Sequence, residues 1–113
     1  MHDMEALADL RRSVLDYCVL ILLREQERYG YELVSLLTQH GMVTSEGTIY
    51  PLLARLRRQG LIDSTWRESV AGPPRRYHRL TDDGIAAAIR FLADWRTFRA
   101  ALDAFIDTPG SPS

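Results

Sequence analysis

The sequence predicts a mainly α-helical fold with one small β-hairpin, and two observations support this prediction. Apolar residues recur at helical spacing in four segments of the chain. Between the third and fourth segments the pattern changes to two β-prone runs around a turn rich in glycine and proline, residues 69–74. A length of 113 residues suits about one domain. The predicted order is helix, helix, helix, hairpin, helix.

The first predicted helix spans residues 4–25. Its apolar stripe is spaced by three and four residues in alternation: Leu7, Leu10, Val14, Tyr17, Ile21. The second half is apolar nearly all round, which is typical of a buried helix. Cys18 lies in this run and is predicted to be a small core residue. Because it is the only cysteine, it excludes an intramolecular disulfide and fits a cytoplasmic protein.

The second predicted helix spans residues 29–40 and ends at Gly41. Its inward residues are Leu33, Leu36 and Leu37. The third helix follows a cap at Thr44 or Ser45. Pro51 leaves open the residue at which this helix begins. A helix that begins near residue 46 loses one backbone hydrogen bond at Pro51, whereas a helix that begins at residue 48 loses none.

The third predicted helix has two different faces. At about 100° per residue one stripe is apolar: Ile49, Leu52, Leu53, Leu56. The opposite side carries small residues and Arg58, with Thr48 and Arg55 on one edge and Tyr50 and Arg57 on the other. The helical spacing alone fits a surface helix with solvated arginines as well as it fits a helix that lies against a nucleic acid.

The distribution of charge favours a polyanion site in the middle of the chain. The net charge is −1. Residues 45–80 hold seven arginines against three carboxylates, a surplus of +4, and the other residues together carry −5. Guanidinium groups also suit two-point contacts with phosphate or guanine.

The predicted hairpin joins strands 61–67 and 75–80, with Arg75 and Arg76 close to its tip. Trp66 is predicted to pack at the hairpin base. Thr81 or Asp82 then caps a last helix that reaches about residue 107. Three helices and a basic hairpin describe a winged helix-turn-helix, in which the third helix enters the major groove and the wing contacts adjacent phosphates or the minor groove.

Four motifs in the expected order resemble the PadR family of bacterial transcriptional regulators over residues 15–84. They are Gly-Tyr-Glu-Leu from Gly30, Gly-Thr-Ile-Tyr-Pro-Leu-Leu-Ala-Arg-Leu from Gly47, Gly-Leu-Ile from Gly60, and Arg-Tyr-His-Arg-Leu-Thr-Asp-Asp-Gly from Arg76. The resemblance implies a homodimeric repressor that binds a palindromic operator and is relieved by a small ligand or a signal at the dimer interface. The wing departs from many relatives, since Gly-Pro-Pro-Arg-Arg replaces a run rich in glycine, arginine and lysine.

The predicted organisation is a winged helix-turn-helix domain (1–81, of which 4–25 also contributes to the dimer), a C-terminal dimerisation helix (82–107) and a flexible tail (108–113). It resembles the small PadR subgroup with one C-terminal helix. One stripe of this helix should pack on the winged domain: Ile85, Ile89, Leu92. A second stripe predicts the dimer interface: Ala88, Phe91, Trp95, Phe98, Leu102, Phe105. Its companion surface is Leu7, Leu10 and Val14 of the other subunit.

Trp95 has two interpretations. Resemblance to multidrug-binding members of the subgroup implies a platform for a small planar aromatic or cationic effector, lined by Leu10, Val14, Phe91, Trp95 and Phe98. Alternatively, the indole only fills the dimer seam, as aromatic stripes at helical spacing commonly do.

The predicted DNA contacts lie on the third helix and the wing: Ser45, Thr48, Tyr50, Arg55, Arg57, Arg58, Arg75, Arg76, Tyr77. The alternative is a winged-helix module that binds an acidic protein partner. Enzyme chemistry is disfavoured, because the three histidines lack metal-ligand spacing and no nucleophile–histidine–carboxylate set is indicated. No metal or cofactor is expected. The longest apolar run, residues 18–23, is far too short to span a bilayer.

Overall fold

The structure, a computed structural model, describes the backbone of residues 2–43 and 45–107. Within these ranges it describes the side chains of residue 11 and of residues 14–43 and 45–107. The predicted tail 108–113 and the side chains of Leu7 and Leu10 lie outside the described residues.

Four α-helices and a three-stranded antiparallel sheet make up most of the described chain. The elements are α1 (His2–Glu25), β1 (Arg28–Tyr29), α2 (Gly30–Gln39), a 3-10 turn (Glu46–Thr48), α3 (Ile49–Arg58), β2 (Ile62–Ser69), β3 (Gly72–Leu80) and α4 (Asp82–Ile106). The strand order is β1-β3-β2. The predicted mainly α-helical fold with a small hairpin is confirmed, and the sheet has one more strand than predicted.

The additional strand, β1, pairs Arg28 with His78 and Tyr29 with Tyr77. Two residues are too few to show an alternating pattern, so this strand has no periodic signal in the sequence. The strand matters because it ties the start of α2 to β3.

The hairpin turn is shorter than predicted. Only Val70 and Ala71 form it, while Gly72, Pro73 and Pro74 belong to β3. The register shifts between Arg67 and Ser69, next to the prolines. Proline lacks a backbone N–H, and a bulge at a sheet edge is where a strand accepts that loss.

One core joins all the helices to the sheet. Its buried apolar residues are Leu15, Val19, Leu20, Leu23, Leu33, Val34, Leu37, Val43, Ile49, Leu52, Leu53, Leu56, Ile62 and Ala88. The predicted stripe of the third helix is confirmed, since its four apolar residues are all buried. Cys18 is half-buried against this core, and burial raises the pKa of its thiol.

The position of Pro51 is resolved by the 3-10 turn that precedes α3. Ser45 occupies the N-cap position of that turn without a hydrogen bond from its side chain, and Thr48 is the N-cap residue of α3. Pro51 therefore lies in the first turn of the α-helix, where the backbone N–H groups have no intrahelical acceptor. The proline costs α3 no hydrogen bond.

The end of α3 is bonded to the start of α4 at the α3–α4 junction, defined as Gly60, Leu61, Thr81 and Gly84. Gly60 has φ +75°, and the N–H of Leu61 donates to the carbonyl of Leu56 at 3.1 Å, which closes the helix. The Thr81 hydroxyl donates to the Gly60 carbonyl at 2.6 Å and accepts from the Gly84 N–H at 3.1 Å. The Thr81 N–H donates to the Leu61 carbonyl at 3.1 Å.

The face by which α4 packs on the chain differs from the predicted one. Ile85 and Ile89 are 41% and 50% exposed, whereas Ala88 is fully buried. Gly84 and Ala88 let the helix backbone approach the core closely, and Phe91 stacks on Tyr17 of α1. The prediction that Ala88 belongs to the dimer seam is therefore wrong, because the methyl group is already enclosed within its own chain.

We expect Gly84→Ala to destabilise the fold by about 2 kcal/mol or more. A Cβ atom at this position would lie 1.9 Å from the Leu61 carbonyl oxygen, so the α3–α4 junction would have to open. Gly72→Ala is the control, because its Cβ would meet nothing closer than the Ser69 hydroxyl at 3.9 Å. Urea unfolding followed by circular dichroism measures both, and equal midpoints would refute the role of the junction.

Candidate nucleic-acid interface

The face of α3 opposite the core is presented to solvent. Four buried apolar side chains fix the rotation of the helix about its axis. Consequently Thr48, Pro51 and Arg58 are exposed, and Tyr50 is 49% exposed. Ser45 is exposed just before the helix. This surface has the size and chemistry of one helix that could lie in a groove of duplex DNA.

The seven arginines of residues 45–80 divide into two groups. Three form ion pairs: Arg55 with Asp16, Arg67 with Glu27, Arg79 with Asp63. Within the part of the chain that the structure describes, the other four form none: Arg57, Arg58, Arg75, Arg76. The uncompensated positive charge is therefore concentrated on α3 and the hairpin end that faces it.

Arg55 does not join the other predicted DNA contacts. Its Nη2 donates to both carboxylate oxygens of Asp16, at 2.6 and 2.8 Å. This ion pair links α3 to α1 on the edge away from Arg57. The periodicity of α3 showed the direction of Arg55 correctly, but it contains no information on a partner 39 residues away.

A groove of about 470 Å³ separates the inner face of the hairpin from α3. We call it the wing–α3 groove. Trp66 pairs with Arg76 and Ser64 with His78, so these side chains share the inner face. The aromatic residues that line the groove are Tyr29, Tyr31, Tyr50 and Trp66, and the cationic ones are Arg57, Arg75 and Arg76. Of these, Arg75 is paired with Arg67 on the outer face of the hairpin and lies at the rim of the groove.

Gly30 and Tyr50 connect two of the sequence motifs in space. A Cβ atom on Gly30 would lie 2.8 Å from Cε1 of Tyr50, so the tyrosine ring rests against a backbone that only glycine leaves open. Glu32 accepts a hydrogen bond from the Tyr29 N–H at 3.1 Å and holds the start of α2 beside this contact. The first turn of α2 thus sets where Tyr50 projects from α3.

The wing arginines are held by aromatic rings. The guanidinium of Arg75 lies 4.6 Å from the ring centre of Tyr29, and that of Arg76 lies 5.7 Å from Trp66. Arg76 Nε also donates to the Ser64 hydroxyl at 2.8 Å. Ring contacts orient both groups without neutralising them, so both charges remain available to an anion.

Tyr77 lies on the outer face of the hairpin. Its ring is 5.5 Å from that of Tyr29 and lies under the guanidinium of Arg67 at 4.6 Å. These contacts fit a side chain that supports the wing.

Sequence reasoning missed two residues of the groove. Trp66 is 64% exposed, so the prediction that it packs at the hairpin base is wrong. His78 is 3% exposed, and its Nδ1 has no hydrogen-bond partner. The alternation of a strand could have found both, because it places residues 76 and 78 on one face opposite residues 66 and 64.

The electrostatics of the groove are cationic throughout. Burial, followed by the charges of Arg57 and Arg76, lowers the pKa of His78 to about 4, so the imidazole is neutral at pH 7. Burial and the neighbouring Arg76 and Arg58 also lower the pKa of Arg57. Both shifts arise first from burial and second from the positive charges nearby.

The distal half of α4 projects its apolar stripe into solvent. The aromatic series continues from the Tyr17–Phe91 stack, at 4.2 Å, to Trp95 at 6.2 Å and on to Phe98 at 6.1 Å. The exposed members of the stripe are Trp95, Phe98, Leu102 and Phe105. Val14, assigned to both the seam and the effector site, is half-buried.

A model of the transcriptional regulator PadR-like family matches residues 19–89, which is more than half of the chain. The chain belongs to the PadR-like family. A PadR family regulator from Eggerthella lenta is 36% identical, with a TM-score of 0.79 over 93% of this chain and 92% of that one. A PadR-like regulator from Bacillus cereus is 35% identical, with a TM-score of 0.81 over 88% of this chain and 97% of that one.

One related structure was solved with DNA. PadR of Bacillus subtilis in complex with operator DNA is 28% identical, with a TM-score of 0.64 over 70% of this PadR-like chain and 45% of that chain. A transcriptional regulator of Mycobacterium tuberculosis is 37% identical over 79 residues, 70% of this chain and 73% of that protein. The family is one of transcriptional regulators.

The described residues contain neither a candidate membrane span nor a candidate metal cluster. No helix there combines the length and the hydrophobicity that a membrane span requires. No three histidine, cysteine, aspartate or glutamate side chains of that part lie close enough together to hold a metal ion.

We expect acid to destabilise the fold through His78. The native state keeps this imidazole neutral while the unfolded chain takes up a proton, so the stability from His78 is complete above pH 6.5 and is lost as the pH falls toward 4. Between pH 7 and 5 the loss should be about 2 kcal/mol. Urea midpoints measured at both values test this.

His78→Asn should reduce the difference between the two midpoints. His40→Asn, at an exposed histidine, should leave it unchanged. If the His78 variant shows the full acid sensitivity of the natural chain, another group causes it.

Proposed function

We propose that this PadR-like protein is a transcriptional repressor that binds a palindromic operator as a homodimer. The observation that carries the proposal is the position of four unpaired guanidinium groups beside the exposed face of α3, within the described residues. Phosphates are the partners that such a cluster attracts, and a helix with one small, polar face suits the major groove.

The proposed contacts follow the geometry. Ser45, Thr48 and Tyr50, at the start of α3, would meet base edges and the nearest phosphates, because winged helices enter the groove by this end. Arg57 and Arg58 would contact the backbone that flanks the groove. Arg75 and Arg76 would contact the next phosphates or the minor groove, with Tyr77 supporting the wing. Arg55 is omitted because of its ion pair with Asp16.

The proposed dimer uses the distal half of α4. Phe98 and Phe105 are 61% and 75% exposed, and Leu102 is 47% exposed on the same stripe. An aromatic and aliphatic seam on a helix that extends beyond its own core is the kind of surface that a second copy buries. The proposed partner surface is residues 4–25 of the second copy, which lie in α1, so residues 1–81 and 82–107 would both contribute to the interface.

We also propose that Trp95 binds a small planar aromatic or cationic effector and thereby relieves repression. Trp95 is 40% exposed and lies at the point where the intramolecular ring series emerges from the core. Its flat indole, flanked by Phe91 and Phe98, offers stacking surface to a planar molecule.

We expect Arg58→Ala and Arg75→Ala to weaken binding to all duplex sequences and to flatten its salt dependence. Each phosphate contact that is lost should reduce the slope of log K against log salt by about 0.9. The test is a titration at several salt concentrations on the DNA upstream of the gene itself and on random DNA.

Arg79→Ala is the matched control for this titration. It removes the same charge from the same hairpin, but Arg79 is already paired with Asp63 at 2.6 Å, so the slope should stay the same. Slopes that do not differ between Arg75→Ala and the natural chain would refute the assigned phosphate contacts. Equal affinity for upstream and random DNA would instead favour a module for an acidic protein partner.

We expect Leu102→Asp to convert the dimer to monomers in sedimentation velocity, because a buried unpaired carboxylate opposes association. Ile89→Asp, an equivalent change on an exposed residue off the seam, should remain dimeric.

A planar cation such as N-methylacridinium should quench the indole fluorescence of the natural chain. Trp95→Ala should abolish this quenching.

Two results would contradict this use of α4. A Leu102→Asp chain that sediments like the natural one would place the dimer interface elsewhere. Quenching that survives in Trp95→Ala would assign it to Trp66, the other tryptophan of the chain.

A further inference from the structure

We propose that the wing–α3 groove is a binding site for a planar aromatic anion, separate from the proposed effector position at Trp95. Three independent properties of the groove support this: its exposed rings, its uncompensated charge and an unsatisfied buried imidazole.

The first property is the pair of aromatic walls. Trp66 on the hairpin and Tyr50 on α3 are 64% and 49% exposed, and both line the groove. Large rings left exposed on facing elements form the kind of apolar patch that marks a binding site. A planar ring system placed between them would bury the faces of both.

The second property is charge. Arg57, Arg75 and Arg76 line the groove, and no aspartate or glutamate is among the described residues that do so. A neutral ring would gain only the stacking, and a cation would be repelled by the guanidinium groups of Arg57 and Arg76, while Arg75 lies at the rim of the groove. An anionic substituent would neutralise a site that the chain itself leaves positive.

The third property is His78. The side chain is almost completely buried, lines the groove, and has no partner for Nδ1. A buried polar atom without a hydrogen bond is costly, and such atoms commonly become satisfied by a ligand or water. In the tautomer with a proton on Nδ1, the imidazole would donate to an oxygen of the anion once its ring turns toward the groove.

The site also predicts how its ligand would act on DNA. The guanidinium groups of Arg57 and Arg76, which would bind the anion, are among those proposed to contact phosphates, so ligand and DNA would compete for them. This competition rests on the proposed function. Binding of the aromatic anion does not, because it requires only the free protein.

The test is isothermal titration calorimetry of the free protein with 2-naphthoate and with 2-naphthamide, which has the same ring system without the charge. We expect naphthoate to bind at least about tenfold more tightly. Trp66→Ala and Arg76→Gln should each weaken naphthoate binding by about fivefold or more. Arg67→Gln is the control, since it removes an equal charge from the outer face of the same hairpin, where Arg67 pairs with Glu27.

¹H–¹⁵N NMR spectra, in which each of the two indole N–H groups gives its own signal, locate the ligand. The signal of Trp66 should shift on addition of naphthoate, and that of Trp95 should not. Equal binding of the two compounds, binding unaffected by Trp66→Ala and Arg76→Gln, or a shift confined to Trp95 would each overturn the proposal.

A gel-shift competition then distinguishes failure of the groove site from failure of the proposed DNA-binding function. Release of DNA by naphthoate, but not by naphthamide, supports both. Naphthoate binding with no binding of upstream DNA refutes the operator function and leaves the groove site standing. DNA binding without naphthoate binding refutes the groove site alone.

Discussion

The architecture depends on the close approach of two backbone segments at the α3–α4 junction. Because Gly84 has no side chain, the first turn of α4 rests directly on the Leu61 carbonyl, and the Thr81 hydroxyl bonds to both segments. Any bulk there would separate the helix proposed to read DNA from the helix proposed to join two copies. The junction therefore gives α3 and α4 a fixed relative orientation. The Arg55–Asp16 ion pair also links α3 to α1.

The wing shows how a chain of nearly zero net charge maintains a cationic surface. Its carboxylates form ion pairs with arginines that link different elements, as in the pairs of Arg67 with Glu27 and Arg79 with Asp63. The arginines near α3 are oriented instead by tyrosine and tryptophan rings, which hold a guanidinium without neutralising it. Average composition does not reveal this division, because it depends on which carboxylate each arginine reaches.

Local patterns predicted most of the fold. Helical periodicity identified the buried stripe of α3, and Gly60 marked its end. The errors arose where a long-range contact overrides the local pattern. Nothing in the α4 sequence shows that Ala88 is enclosed while Ile85 is not, since both lie on apolar stripes. Likewise, the pairing of β1 with β3 and the groove around Trp66 and His78 follow from strand register, which a single sequence specifies only weakly.

The fixed junction makes α4 a lever in any dimer joined through its distal half. A helix of 25 residues is about 37 Å long, so a tilt of roughly 10° at the junction moves its far end by roughly 6 Å. Successive base pairs are about 3.4 Å apart along one strand, so such a tilt corresponds to nearly two base-pair steps. The distance between half-sites that the protein accepts would then be set by the packing of one glycine, far from any base.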